Sequence, residues 1–147
     1  MKFEINFSPG PGCKNLILSK IRNAESSLNI CVFTISDNQI TREIINAFNR
    51  GLKVRIITDN YKMHDTGSDI FELQREGIDV RIDKSDSHMH HKFMVVDDLI
   101  TITGSYNWTR SAELYNQENT ISIEDESFSS SFNIEFERLW LESSEIE

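Results

Sequence analysis

Two cysteines in 147 residues, Cys13 and Cys31, are too few for a disulfide framework, and they lack the paired spacing of a zinc finger. Cys31, inside Ile30-Cys31-Val32-Phe33, reads as a core residue; Cys13 reads as a free thiol, with a bridge between the two left open. No window approaches the run of about 20 apolar residues that a membrane span requires. Residues 1–13 carry Lys2 but no apolar stretch of the signal-peptide kind, so the default expectation is a cytoplasmic protein with no stable membrane association. Internal repeats and a second domain are also missing, and residues 1–147 are expected to form one domain with a substantial core. A basic surplus is lacking as well, the formal net charge being -9. That charge is unevenly spread: from Glu113 to Glu147 ten acids face a single base, Arg138, and residues 1–112 are balanced. The acidic segment is either a solvated face or a limit on where a polyanion can lie.

What is present is an alternation of strand and helix signals. Phe3 to Phe7 alternates as a first strand, and Pro9-Gly10-Pro11-Gly12 breaks the chain without the Gly-Lys-Ser/Thr ending of a P-loop. Lys14 to Ala24 has Ile17, Leu18, Ile21 and Ala24 at helical spacing. Leu28 to Ile35 reads as a strand covered on both faces. Ser36-Asp37-Asn38-Gln39 resembles a capping box before a helix carrying Ile40, Ile44, Ile45 and Phe48, which Gly51 ends. Val54 to Thr58 and Ile78 to Ile82 are further strands, with a short helix from about Asp69 to Glu76 between them. Asn119 to Ile123 alternates as a strand. A last helix carries Phe128, Phe132, Phe136, Leu139 and Trp140 mostly on one side, and Ser143 onward is expected to fray. The pattern predicts an α/β fold with a mixed, largely parallel β-sheet flanked by helices on both faces.

One stretch carries chemistry: His90-His91-Lys92-Phe93-Met94-Val95-Val96-Asp97, followed after a gap by Gly104-Ser105-Tyr106-Asn107. Phe93 to Val96 and Leu99 to Thr103 predict two strands joined as a hairpin. Side chains two apart share a face, so His90 pairs in direction with Lys92, and Ser105 with Asn107. A two-residue loop sets Ser105 opposite His90 and a four-residue loop sets Asn107 there; a three-residue loop breaks the argument. Lys, Ser and Asn offer donors to the non-bridging oxygens of a phosphoryl group, and His can act as nucleophile or proton carrier. Asp97 falls on the opposite face from His90.

The pattern H-x-K-x4-D-x6-G-S-x-N, matched by His90, Lys92, Asp97, Gly104, Ser105 and Asn107, resembles the phospholipase D superfamily, and Glu118 in Asn116-Gln117-Glu118-Asn119 is similar to the acidic position that follows the motif there. The resemblance implies the phospholipase D/nuclease fold and catalysis by His90, Lys92, Ser105, Asn107 and Glu118, with Asp97 and Gly104 structural. It implies neither metal nor cofactor. Larger relatives carry two such motifs and this chain has one, which implies a homodimer whose motifs meet at a two-fold axis. The chemistry asks for the same arrangement, since one imidazole must attack phosphorus while another protonates the leaving oxygen. The expected activity is an endonuclease acting on DNA or RNA through a phosphohistidine, with Lys62, Lys84 and Arg110 guiding the phosphate backbone. A cardiolipin-type phospholipase and a silent binding dimer are the alternatives. The residues also admit other readings: His88, His90 and His91 as zinc ligands, His91 as a packed residue, Trp108 as packing or a stacking platform, and Lys62, His64 and Asp65 as substrate contacts or plain loop polarity.

Overall fold

The computed structural model describes residues 1–60 and 65–146. The chain begins with strand β1 (Lys2–Ser8), helix α1 (Gly12–Arg22) and strand β2 (Ser27–Val32). Next come α2 (Asn38–Asn49), β3 (Lys53–Asp59), α3 (Ile70–Arg75) and β4 (Asp79–Asp83). The hairpin is β5 (Lys92–Val96) and β6 (Ile100–Gly104), followed by α4 (Arg110–Leu114), β7 (Glu118–Glu124), α5 (Glu126–Glu142) and a two-residue strand β8 (Ser144–Glu145). The cap of α2 is Asp37, one residue past the Ser36 that would head a capping box: its carboxylate accepts from Gln39 N at 2.9 Å and Ile40 N at 3.4 Å.

The strands form one sheet in the order β1-β7-β6-β5-β2-β3-β4-β8. Parallel pairing is confined to β2–β3 and β3–β4, where α2 and α3 supply the crossovers. The other neighbours are antiparallel. The expected mixed α/β sheet with helices on both faces is therefore present, with a narrower parallel part than the strand and helix alternation implies. Antiparallel strands need only a short turn, which is how β5 passes to β6.

Strand parity sorts the core into two layers. Leu28, Ile30, Ile56, Met94 and Val96 face α1 and α2 with Ile17, Ile21, Ile40 and Ile44. On the other face Cys31, Ile57, Phe93 and Val95 pack under Phe136 and Trp140 of α5. Burying such side chains stabilises by roughly 1.5–3 kcal/mol each, so this two-sided packing holds β2, β3 and β5 rigid as the platform for their ends. Both cysteines are buried and free. The C-terminal segment does not fray: Ser144 and Glu145 pair with Ile82 and Arg81, and Ile146 is buried in the core. The signal for this is Ile146, an apolar residue four positions past the end of α5, whose burial anchors the short strand that pairs with the edge of β4. No helix among the described residues is long and apolar enough to cross a membrane.

Candidate active site

β2 and β3 end, β5 begins, β6 ends and β7 begins along one rim of the sheet, because β5 runs antiparallel to both β2 and β6, and β7 to β6. That rim gathers His90 and Lys92 at the start of β5, Ser105 and Asn107 just past β6, and Glu118 as the first residue of β7. Lys92 sits opposite Val32, and Phe33 N donates to His91 O at 2.9 Å, extending the ladder one step. His90 and Lys92 share a face as parity requires. Lys92 Nζ lies 2.9 Å from His90 Nδ1 and donates to His90 O at 2.8 Å. The Phe33 ring packs beside both, 4.6 Å from the imidazole centroid and 5.6 Å from the ammonium.

Burial, then the Lys92 charge, push the His90 pKa below its ordinary 6.5, with Asp59 pulling the other way. The ring is therefore a neutral imidazole at pH 7, able to attack an electrophile. Burial also lowers the Lys92 pKa, and the Glu118 carboxylate offsets part of that. Glu118 is thus within electrostatic reach of Lys92, yet it makes no hydrogen bond to His90 within the chain.

The hairpin departs from the expected geometry. Val96 pairs with Ile100, so the loop is the three residues Asp97-Asp98-Leu99, with Asp97 and Asp98 both left-handed at φ 56° and 57°. Asp is one of the few residue types that visit that conformation, and Asp98 Oδ1 accepts from Asn133 Nδ2 at 2.8 Å. In this register Ser105 and Asn107 would project on the opposite face from His90 had β6 continued. It does not continue. Gly104 has φ +154°, and a Cβ there would meet Asn119 O at 2.2 Å, so only glycine lets the chain leave the sheet at this point. Ser105 N then donates to Asn119 O at 3.2 Å, and Ser105 Oγ accepts from Asn119 N at 3.1 Å. Trp108 N donates to Thr34 O at 3.1 Å, and Ser36 N and Asp37 N both donate to Trp108 O at 2.9 Å. The segment from Ser105 to Trp108 therefore passes from the end of β6 to the end of β2 across the start of β5, where His90 and Lys92 stand. Asn107 Oδ1 and Tyr106 OH, both buried atoms, find no protein partner.

Asp97 lies at the opposite end of β5. Its carboxylate accepts from Glu25 N, Ser26 N, Ser26 Oγ and Ser27 N at 2.7–3.0 Å. Burial alone would raise its pKa, but these hydrogen bonds outweigh burial and hold it below the ordinary value. The turn between α1 and β2 is thereby pinned to the hairpin.

Two further groups escaped the sequence reading. Asp59, fully buried at the end of β3, accepts from Met89 N at 2.8 Å and lies 3.3 Å from His88 Nδ1, fixing the two residues before His90. An acid closing a buried parallel strand at the ligand-binding edge was the available signal. Lys14 is buried with Nζ 2.9 Å from Asp37 Oδ2 and 3.5 Å from Glu113 Oε1, tying α1 to the α2 cap and to α4. Its helical spacing among apolar residues resembled a solvated position, so nothing in the pattern marked it.

The guiding bases are scattered. Lys84 is exposed on the loop before His88, Arg110 is exposed where α4 starts, and Lys62 and His64 lie outside the described residues. His91 turns to Glu135, 3.6 Å away, and packs its ring edge-on to Phe93. Trp108 is buried packing. Beside His90 runs a polar cleft of about 480 Å³ lined by His88, His91, Asp83, Arg138 and Glu142 among others.

A family model described as "Cardiolipin synthase, PLD-like domain" matches residues 17–140. The chain is 40% identical over 134 residues to a mitochondrial cardiolipin hydrolase of Chlamydomonas reinhardtii, covering 91% of this chain and 60% of that protein. It is 41% identical over 131 residues to a phospholipase D of Rickettsia conorii, covering 89% of this chain and 66% of that one. The chain thus spans about 60% of the length of the curated relatives it matches. Among solved structures, the phospholipase D family member Nuc of Salmonella typhimurium superposes with a TM-score of 0.94 at 26% identity, covering 99% of this chain and 98% of Nuc.

Proposed function

The chain belongs to the phospholipase D superfamily, and from that premise we propose that it is a metal-independent phosphodiesterase acting on nucleic acid, with a site completed by a second copy of itself. The observation that carries the reading is the His90 imidazole held by Lys92 on a rim that also bears Ser105, Asn107 and Glu118. A nitrogen of His90 attacks phosphorus, and the bond from phosphorus to the leaving oxygen breaks. His90 of the second copy, protonated, gives its proton to that oxygen. It then takes a proton from water, whose oxygen attacks the phosphohistidine, breaks the N–P bond and restores both rings.

Lys92, Ser105 and Asn107 serve the non-bridging oxygens. The orphaned Oδ1 of half-buried Asn107 on the rim suits an amide whose polar contacts come from substrate or water. Glu118, unbonded to its own His90, is placed to orient the imidazole of the other copy. Nucleic acid is preferred because polar and charged residues outnumber the apolar ones, Met89 and Leu139, along the cleft beside His90. Cardiolipin-type phospholipid is the second reading, favoured by the names of the curated relatives.

Cleavage of labelled single-stranded and duplex DNA and RNA in EDTA, with cardiolipin liposomes in parallel and His90→Asn as control, tests the proposal. EDTA-resistant nucleic-acid cleavage lost in the variant is expected. Turnover of lipid alone would replace the nuclease by a phospholipase, and no turnover on any substrate would leave a binding dimer.

A further inference from the structure

The cleft beside His90 is lined by planar groups that their neighbours hold in place. Arg138 on α5 is gripped by two carboxylates: Nε donates to Glu135 Oε1 at 2.7 Å and Nη2 to Glu135 Oε2 at 2.8 Å, while Nη1 donates to both oxygens of Glu142 at 3.2 Å. The same Glu135 Oε2 lies 3.6 Å from Nε2 of His91, whose ring packs edge-on to Phe93 at 5.3 Å. Glu135 therefore fixes a guanidinium and an imidazole together, and the hydrogen bonds from Arg138 hold its carboxyl below the ordinary range, so it stays ionised. His88 is held separately, 3.3 Å from the buried Asp59 carboxylate and edge-on to Phe33 at 5.4 Å. The side chains of Arg138, His91 and His88 are 54%, 47% and 56% exposed, and all three line the same cleft.

This lining is a poor one for phosphate. Asp83 and Glu142 outnumber Arg138, whose charge is already met by Glu135 and Glu142. A polyanion entering here would face two carboxylates and one paired cation. A nucleobase is the opposite kind of guest, being uncharged and planar. Bases stack on imidazole rings and on guanidinium planes, and Met89 and Leu139 add apolar contact. Carboxylates accept from an exocyclic amino group, as Asp and Glu do from N4 of cytosine. Thymine and uracil turn carbonyl oxygens toward such acceptors instead. The volume, about 480 Å³, is that of an ordinary small-molecule pocket. His90 lines the cleft as well, so a base lodged there belongs to a nucleotide flanking the phosphate under attack.

We propose that this cleft is a nucleobase subsite: Arg138, His91 and His88 offer stacking surfaces, and Asp83 and Glu142 accept from the amino group of cytosine, adenine or guanine. Cleavage then falls beside an unpaired, amino-bearing base. Glu135 is a positioning residue, acting through the Arg138 and His91 that it holds. The inference rests on the nucleic-acid reading of the site and adds the kind of base that the site selects.

The test uses end-labelled oligo-dT carrying one internal dC, dA or abasic residue, with cleavage positions mapped at nucleotide resolution. The wild type should cut beside dC or dA about 10-fold faster than between thymidines, the scale of one stacked base. The abasic residue should lose that advantage. Glu142→Gln and Asp83→Asn should each shrink the ratio of dC to dT cleavage. Glu135→Gln should raise KM on the dC strand more than it lowers kcat, and should leave KM on the abasic strand where the wild type has it. Even cutting along every strand, or an abasic residue favoured as much as dC, would overturn the subsite and leave the nuclease intact. A dC to dT ratio unchanged in both Glu142→Gln and Asp83→Asn would put base selection elsewhere and overturn it too. No cleavage of any oligonucleotide, with or without turnover of cardiolipin liposomes, would remove the nucleic-acid reading itself and the subsite with it.

Discussion

The ammonium of Lys92 lies 2.9 Å from Nδ1 of His90 and 2.8 Å from the carbonyl oxygen of the same residue, so one side chain fixes both the ring and the backbone of His90. Its charge acts with burial to disfavour protonation of that ring. A reaction that begins with neutral His90 therefore keeps its acid limb below pH 6.5, the ordinary imidazole value. Lys92→Met removes the repulsion, so the limb should move up in pH. The pH dependence of kcat reads this directly, as the apparent values of coupled groups. Loss of a preorganised donor should also lower kcat about 10²–10³-fold. A limb that stayed put would show that the ammonium does not sense the reacting imidazole.

His90→Asn removes attack and proton transfer together. Turnover should fall by about 10⁴-fold or more, since acid–base assistance alone contributes roughly 10²–10⁴. Quenching the wild type during turnover and digesting it under alkaline conditions should yield a phosphorylated peptide containing His90. A modified peptide centred on His88 or His91 instead would reassign the nucleophile.

Gly104→Ala tests the exit from β6. A Cβ would come within 2.2 Å of Asn119 O at a φ of +154°, so the backbone must shift at a point where Ser105 is bonded to the same Asn119. Strain of this kind costs about 1–3 kcal/mol, and the clash adds to it. Both melting temperature and kcat should drop, and a variant that lost neither would mean that the rim tolerates displacement of Ser105.

Most of the architecture was legible because β2, β3 and β5 are largely apolar and the helices carry apolar stripes at helical spacing. The parity argument for Ser105 and Asn107 failed for a physical reason: turn length depends on two consecutive Asp residues adopting left-handed conformations, which the pattern of side chains does not encode. The residues reach the rim anyway through Gly104, whose role depends on a backbone oxygen fifteen residues later. Asp59 and Lys14 were illegible for a similar reason. Their partners are a backbone N–H and carboxylates on other elements, visible only once the sheet order is known.

Asp97→Ala should destabilise the fold by about 1.5–3 kcal/mol near neutral pH, the scale of hydrogen bonds to a charged group. Its pKa is depressed in the folded chain, so its contribution is present above the unfolded value of about 3.9 and is lost as pH falls through the folded value. Urea midpoints of the two proteins should differ at pH 7 and converge in acid. Activity of the folded variant should change little, because the carboxylate lies at the far end of β5 from His90.

Asp59→Asn gives the counterpart to Lys92→Met. The Asp59 carboxylate raises the His90 pKa against burial and Lys92, while its oxygen holds Met89 N at 2.8 Å. An Asn side chain can keep that acceptor and loses the charge. The acid limb should therefore move down in pH, opposite to Lys92→Met, with the fold retained. Asp59→Ala loses both, so Met89 N–H is left buried without this acceptor at a cost of about 1–3 kcal/mol. His90 would then sit on a looser backbone, and kcat should fall further than in Asp59→Asn at every pH. If the two substitutions lowered kcat equally and shifted no limb, Asp59 would be acting as a packing residue alone, and the position of His90 would depend on Lys92 and Phe33.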